Sequence, residues 1–173
     1  MNLVKDKAHF LATDGEHEAT VKQGFVALKM QDVKHVETNN DYSFLNTGSP
    51  HYVAFIGDVE LYNVFEEGKK IRFNQRFKKE GTNVNFVELQ ADNLFVRTYE
   101  RGVEAETQSC GTGVTAAALV AAIKNISSSQ NYCNIKTLGG NLKVKFNRHR
   151  DNSFTDVWLE GPAIFVFKGE ITV

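Results

Sequence analysis

The stretch that decides the fold runs Glu100-Arg101-Gly102-Val103-Glu104-Ala105-Glu106-Thr107-Gln108-Ser109-Cys110-Gly111-Thr112-Gly113, then Val114-Thr115-Ala116-Ala117-Ala118-Leu119-Val120-Ala121-Ala122-Ile123. The second half carries no charge and has no solvent face. A helix that is apolar all round is buried all round, so the pattern predicts a central buried helix over about 111–125. The first half is a loop of acids, an arginine, a cysteine and glycines. Gly111 and Gly113 leave backbone N–H groups bare at the first helical turn. Those donors and the positive end of the helix dipole favour an anion. A cysteine set there is expected to have its thiolate stabilised. The plainer reading makes Cys110 a small buried residue ahead of a core helix, since free cysteine is among the most buried residue types.

Around this helix the chain is a series of short strands. His9–Thr13 and Glu16–Lys22 flank an Asp14-Gly15 turn and read as a hairpin. Gln23-Gly24 leads into a third strand, Phe25–Met30. Residues 31–41 are polar and irregular. Tyr42–Thr47 and His51–Ile56 are strands separated by Gly48-Ser49-Pro50. Leu61, Val64 and Phe65 have helical spacing and predict an amphipathic helix over about 59–70. Thr82–Leu89 and Leu94–Tyr99 form a second hairpin around Ala91-Asp92-Asn93. After the buried helix, Ser127-Ser128-Ser129 is a loop too short to link domains. Strands follow at Tyr132–Thr137, Leu142–Phe146 and Phe154–Glu160, and Gly161-Pro162 sets off another, Ala163–Phe167. The expected class is α+β, a mostly antiparallel sheet wrapped around a central buried helix.

Segments 9–30 and 132–160 share a plan of strand, glycine turn, strand, loop, strand. As an internal repeat this has a consequence. The second copy follows a Cys-Gly-Thr-Gly loop and a buried helix, whereas almost nothing precedes the first. The expectation is a two-lobed protein whose N-terminal half is missing here. Residues 1–30 and 163–173 would belong to the missing first lobe, and 31–162 would be the second.

Composition narrows the function. The 173 residues hold 20 basic and 21 acidic side chains, for a net charge of −1. Without a basic stripe, nucleic acid is not an expected partner. The longest apolar run is far short of the roughly 20 residues that span a bilayer, so no membrane association is expected. Charges at Lys5, Asp6 and Lys7 stand where a secretion signal needs its apolar core. The two cysteines, Cys110 and Cys133, form neither a C-x-x-C motif nor a disulfide framework. These features lead to the expectation of a cytoplasmic protein. His and Cys residues lack compact ligand spacing, so no metal is expected.

Polar residues at strand ends and loop tips are the candidates for chemistry: Ser49, His51, Asn83, Glu100, Arg101, Glu106, Cys110, Gly111 and Thr112. Arg101 suits a two-pronged contact to a carboxylate. Glu100 and Asn83 suit an ammonium group, and the N–H groups of Gly111, Thr112 and Gly113 suit a second carboxylate. Together they would suit a zwitterionic amino acid. The duller readings are a structural His51, a solvated Glu100-Arg101 turn and an Asn83 that only caps its strand. Cys133, inside an alternating strand, reads as packing.

These residues carry a resemblance. Glu100-Arg101-Gly102, Glu106-Thr107 and Ser109-Cys110-Gly111-Thr112-Gly113 before an alanine-rich helix resemble the second cysteine motif of diaminopimelate epimerase. Asn46-Thr47-Gly48-Ser49-Pro50-His51 is similar to the family's Gly-Asn-Pro-His segment. Gly81-Thr82-Asn83-Val84-Asn85-Phe86 is similar to its substrate-binding asparagine segment, and Leu159-Glu160-Gly161-Pro162-Ala163 to its last turn. The resemblance runs from about residue 8 to the end. It implies one lobe of the diaminopimelate-epimerase-like fold and a cofactor-independent epimerase acting on diaminopimelate in lysine and cell-wall precursor synthesis. Two cysteines, one per lobe, would act as thiolate base and thiol acid on opposite faces of the α-carbon.

By that match Cys110 is the second catalytic cysteine, with Glu100 and His51 beside the reacting groups. Ser49, Asn83, Glu100, Arg101, Gly111 and Thr112 would bind substrate. Ser49 departs from the family's usual asparagine, and the first cysteine motif is absent from these residues. This lobe alone is therefore expected to be catalytically incomplete. Orphaned strands pair between chains, so a homodimer through 1–30 and 163–173 is expected. Alternatives are a proline-racemase-like or phenazine-type isomerase, a cysteine hydrolase with Cys110 as nucleophile and His51 as base, and a non-catalytic self-associating fragment.

Overall fold

Helix α2, Gly111–Ile123, is the axis of the structure, a computed structural model that describes residues 5–13, 15–126 and 129–171. Every residue from Gly113 to Ala122 is buried. Its alanines let strands approach from several sides, and its Val114, Leu119 and Val120 have no exposed surface. Burying each such side chain contributes roughly 1.5–3 kcal/mol. The helix ends at Ile123 with Lys124 as its C-cap, close to the expected boundary.

The described residues form twelve strands: β1 Lys7–Ala12, β2 Gly15–Lys22, β3 Phe25–Lys29, β4 Val36–Thr38, β5 Ser43–Asn46, β6 Pro50–Phe55, β7 Asn83–Gln90, β8 Asn93–Glu100, β9 Ala105–Thr107, β10 Tyr132–Thr137, β11 Gly140–Arg148 and β12 Phe154–Pro162. They form one sheet in the order β1-β2-β3-β12-β11-β10-β8-β7-β6-β5-β4, with β9 added on β8. Two pairs are parallel, β6 with β7 and β8 with β10. Parallel neighbours need a crossover. Helix α1, Val64–Arg72, supplies the first, and α2 the second.

The two helices cover opposite faces of the middle of the sheet. Side chains alternate along a strand, so Val53 of β6, Val87 of β7, and Leu94 and Val96 of β8 join the α2 core. The intervening residues Ala54, Val84, Phe86, Phe95 and Tyr99 pack with Val64 on the α1 side. Covered on both faces, β7 is buried from Asn83 to Val87, as parallel-sheet strands are. Gly68 of α1 allows the close approach, because a Cβ there would sit 2.4 Å from Tyr99 Cβ.

Several boundaries depart from expectation. The region 59–70 is a 3-10 turn, Val59–Leu61, followed by α1 from Val64. Asn63 stops a continuous helix by accepting from the Glu66 N–H at 3.3 Å as an N-cap. Leu61 is consequently exposed. Part of the irregular segment 31–41 pairs as β4, and Glu106 lies in β9 rather than in a loop. Strand β12 continues through Gly161 and Pro162, whose partners are Val26 and Phe25. Pro162 is tolerated as the last residue of the ladder.

Residues 163–171 form no strand, and Ile164, Phe165, Val166 and Phe167 are 79–85% exposed. The Ala163 N–H to Gly24 O bond, 2.7 Å, extends the ladder one step. Beyond it no described residue offers these backbone groups a ladder. The expected turn residues Asp14, Ser127 and Ser128 lie outside the described residues.

Candidate active site

The start of α2 opens into a cleft of about 380 Å³. Cys110 is the residue before the helix, in extended geometry (φ −119°, ψ 109°). Gly111, Thr112, Glu100 of β8 and Leu159 of β12 line the cleft with it, and Phe10 and His17 close it from the first hairpin. The alternation that builds the core also builds this site. His51 and Val53 share a face of β6, Asn83, Asn85 and Val87 share one of β7, and Thr98 and Glu100 continue the face of Val96 on β8. Polar residues therefore occupy the ends of the strands nearest α2, and apolar residues their middles.

A dense hydrogen-bond network ties these ends to the helix. Ser49 Oγ lies 2.9 Å from His51 Nε2, 3.2 Å from Thr112 Oγ1 and 3.1 Å from the Asn83 amide nitrogen. Asn83 also donates to Pro50 O at 3.1 Å, and its Oδ1 accepts from the Arg101 backbone N–H at 2.9 Å. Asn85 Nδ2 lies 3.1 Å from His51 Nδ1 and donates to Tyr52 O at 2.8 Å. Thr98 donates to Asn85 Oδ1 at 2.9 Å. Thr47 donates to Thr112 O at 2.8 Å, anchoring the β5–β6 turn to the helix start. Gly113 is required for this packing, since a Cβ there would stand 2.4 Å from Asn85 Oδ1.

The sulfur lies 3.5 Å from the Thr112 hydroxyl. Burial raises the Cys110 thiol above its ordinary value. The Thr112 hydroxyl and the Gly113 N–H pull it back, the Glu100 charge adds to the rise, and the Thr112 N–H also lowers it. This corrects the expectation of a thiolate stabilised at the helix start. The donors are there, but desolvation outweighs them, because Cys110 is only 8% exposed. His51 has no exposed surface. Its burial, with the Arg101 charge adding, pushes its pKa down to about 3. It is therefore neutral at physiological pH.

Seven of the expected residues meet here: Ser49, His51, Asn83, Glu100, Cys110, Gly111 and Thr112. His51 stands behind Ser49, joined to the sulfur through two hydroxyls. Arg101 is exposed and does not line the cleft; its guanidinium donates to Glu80 O at 2.9 Å. Glu106 is spent elsewhere. It binds Arg97 in a two-pronged pair at 2.6 and 2.7 Å, while Arg97 also donates to Val59 O and Tyr62 O. Cys133 faces α2 and donates to Ala118 O at 3.6 Å. Sequence reasoning missed Asn85, Thr98, Thr47 and the cleft walls Phe10 and His17. Asn85 was findable, being two residues from Asn83 on one face of an apolar strand. The wall residues carried no local signal.

Among the described residues no group of three His, Cys, Asp or Glu is placed to hold a metal ion, and no helix is long and apolar enough to cross a membrane. The fold is similar to that of a probable proline racemase from Agrobacterium radiobacter K84, with TM-score 0.71, 13% identity and coverage of 100% of this chain and 63% of that one. A hydroxyproline epimerase from Agrobacterium vitis is also similar, with TM-score 0.68, 14% identity and coverage of 94% and 58%.

In sequence, the chain is 43% identical over 173 residues to a diaminopimelate epimerase of Flavobacterium psychrophilum, covering 99% of this chain and 67% of that protein. It is 44% identical over 132 residues to a diaminopimelate epimerase of Chlorobaculum tepidum, covering 75% and 49%. The chain thus spans between about half and two thirds of these relatives' length. The family model of diaminopimelate epimerase matches residues 43–166, which contain the helix, its cysteine and the network around it. By that match and those identities, the chain belongs to the diaminopimelate epimerase family.

Proposed function

We propose that this chain supplies one catalytic face of a diaminopimelate epimerase, interconverting the LL and meso forms by α-proton transfer. The observation that carries the reading is Cys110, set at the start of a buried helix in a cleft shared with Glu100. Removing an α-proton builds negative charge beside the substrate carboxylate. The N–H groups of Gly111, Thr112 and Gly113 stabilise that charge where it develops. Cys110 exchanges a proton with one face of the α-carbon. Its raised thiol value suits the acid role at rest, and the base role needs the donors around the sulfur. Glu100 and Asn83 hold the ammonium group, and Arg101 and Ser49 complete the substrate contacts.

The opposite face needs a second thiol. Cys133 is buried against α2, so this reading takes that group from outside these 173 residues. In the same reading residues 1–30 and 163–173 belong to the first lobe and 31–162 to the second. The exposed β1 edge and the apolar run at 164–167 support self-association.

Deuterium exchange at the α-carbon of diaminopimelate in heavy water tests the reading. This chain alone is expected to show little or no stereoinversion, and Cys110→Ala to remove whatever exchange it has. Clean inversion by the isolated chain would overturn the two-lobe assignment. Exchange unaffected by Cys110→Ala would overturn the role of the sulfur. Sedimentation of the same preparation checks self-association, which a monomer at high concentration would exclude.

A further inference from the structure

The hydrogen bonds in and around His51 leave little freedom in where the protons sit. Asn85 Nδ2 points at Tyr52 O, a group that only accepts, so that atom is the amide nitrogen and not the oxygen. Its other hydrogen is then directed at His51 Nδ1, 3.1 Å away. Nδ1 must accept, and neutral His51 carries its proton on Nε2. Nε2–H donates to Ser49 Oγ at 2.9 Å. The Asn83 orientation is settled in the same way, because its Oδ1 accepts from the Arg101 N–H and its Nδ2 donates to Pro50 O. Asn83 Nδ2 therefore also donates to Ser49 Oγ, at 3.1 Å.

Ser49 Oγ now accepts twice, which uses both of its lone pairs. Its own hydrogen is left for Thr112 Oγ1 at 3.2 Å. Thr112 Oγ1 accepts from Ser49, which leaves its own hydrogen available to donate to Cys110 Sγ at 3.5 Å. We propose that Asn85, His51, Ser49 and Thr112 form a hydrogen-bond relay of fixed direction that aims the Thr112 hydroxyl at the Cys110 sulfur. His51 and Asn85 are positioning residues in this relay. Neither reaches the sulfur, and neutral His51, donating from Nε2, is not the proton acceptor for Cys110.

The relay solves a problem the cleft creates. Burial penalises a thiolate, and Glu100 of β8 adds a like charge. Among the described residues that line the cleft, the other titratable group is His17 of β2, whose Nδ1 lies 3.0 Å from Lys29 O. A donor locked onto the sulfur favours its charged form without a rotamer search at the moment of proton transfer. A hydroxyl free to rotate would donate part of the time to other acceptors. Ser49 is the step where direction is decided, because it collects two donors and forwards one.

This inference rests on Cys110 being the group that transfers the proton, but its test needs no substrate, so the two can fail separately. The first measurement is the ionisation of Cys110 in the 173-residue chain, followed as the pH dependence of alkylation with the modified cysteine located by mass spectrometry. Ser49→Ala is expected to raise the Cys110 midpoint by about one pH unit. Ser49→Asn is expected to leave it within a few tenths, because an amide accepts on oxygen and donates on nitrogen. No shift in folded Ser49→Ala, or equal shifts in both variants, overturns the relay. The second measurement uses the unaltered chain. Nitrogen-15 shifts of the His51 ring are expected to show the proton on Nε2 between pH 5 and 8. A proton on Nδ1 overturns the relay even if the variants fail to fold.

Discussion

Strands β1–β3 and β10–β12 are two three-stranded meanders of one plan, and they run outward in opposite directions from the β3–β12 pair. Their surroundings differ. Helix α2 lies across β10–β12, where Ile135, Val144, Phe154 and Val157 are at most 1% exposed. No helix among the described residues covers β1, where five of the six residues are exposed and Ala8 is half-buried. Phe10 and Leu11 are 45% and 79% exposed. The same local sequence signals thus form both meanders, but only one has the buried area that sets stability. The cleft lies where the two meet, with Phe10 and His17 on one wall and Leu159 on another.

The largest effect is expected on the covered side. Phe154, fully buried and edge-on to Phe146 at 5.4 Å, should cost about 3–5 kcal/mol as Phe154→Ala. Denaturant unfolding measures this. A loss no greater than that of an exposed β1 residue would mean the two meanders are equally supported.

A middle-sized effect follows from the buried network at the junction. The native pKa of His51, about 3, lies below its ordinary 6.5, so the unfolded chain takes up the proton first. Stability is complete above 6.5 and falls as pH drops toward 3. Between pH 7 and 5 the loss should be about 2 kcal/mol. Urea unfolding at the two pH values reads it, and His51→Gln should flatten the dependence. An equally steep slope in that variant would assign the effect to other groups.

The smallest effect belongs to the uncovered meander. Leu11→Ala should change stability by less than about 0.5 kcal/mol. Amides of β1 should exchange with solvent faster than those of β10 and β11. Equal protection would show that β1 is held by something other than its ladder to β2.

The elements that could be read from sequence were those with an unambiguous period. The charge-free run at Val114–Ile123 allowed only a buried helix. The hairpin of β7 and β8 followed from two alternating runs around a short turn, and β10 matched its predicted span residue for residue. The misreadings lie where a single side chain or a distant partner decides. Asn63 splits the region 59–70 by capping α1. Strands β4 and β9 are three residues long and exist because β5 and β8 offer them an edge. Residues 163–171 have strand-like composition and stay irregular for want of such an edge.

The sequence by itself determined the central helix, the α+β class and the family motif around Cys110, because these depend on periodicity and on residues close together in the chain. It also marked Ser49, His51, Asn83 and Glu100 as candidates. Only the tertiary structure decided what they do to one another. The direction of the hydrogen bonds from Asn85 to Thr112 depends on residues up to 63 positions apart, as in the Ser49–Thr112 contact. The net rise of the Cys110 thiol depends on burial by walls from five separate strands, β1, β2, β3, β8 and β12. Desolvation and hydrogen-bond direction belong to enclosed space, and a linear pattern carries no information about enclosure.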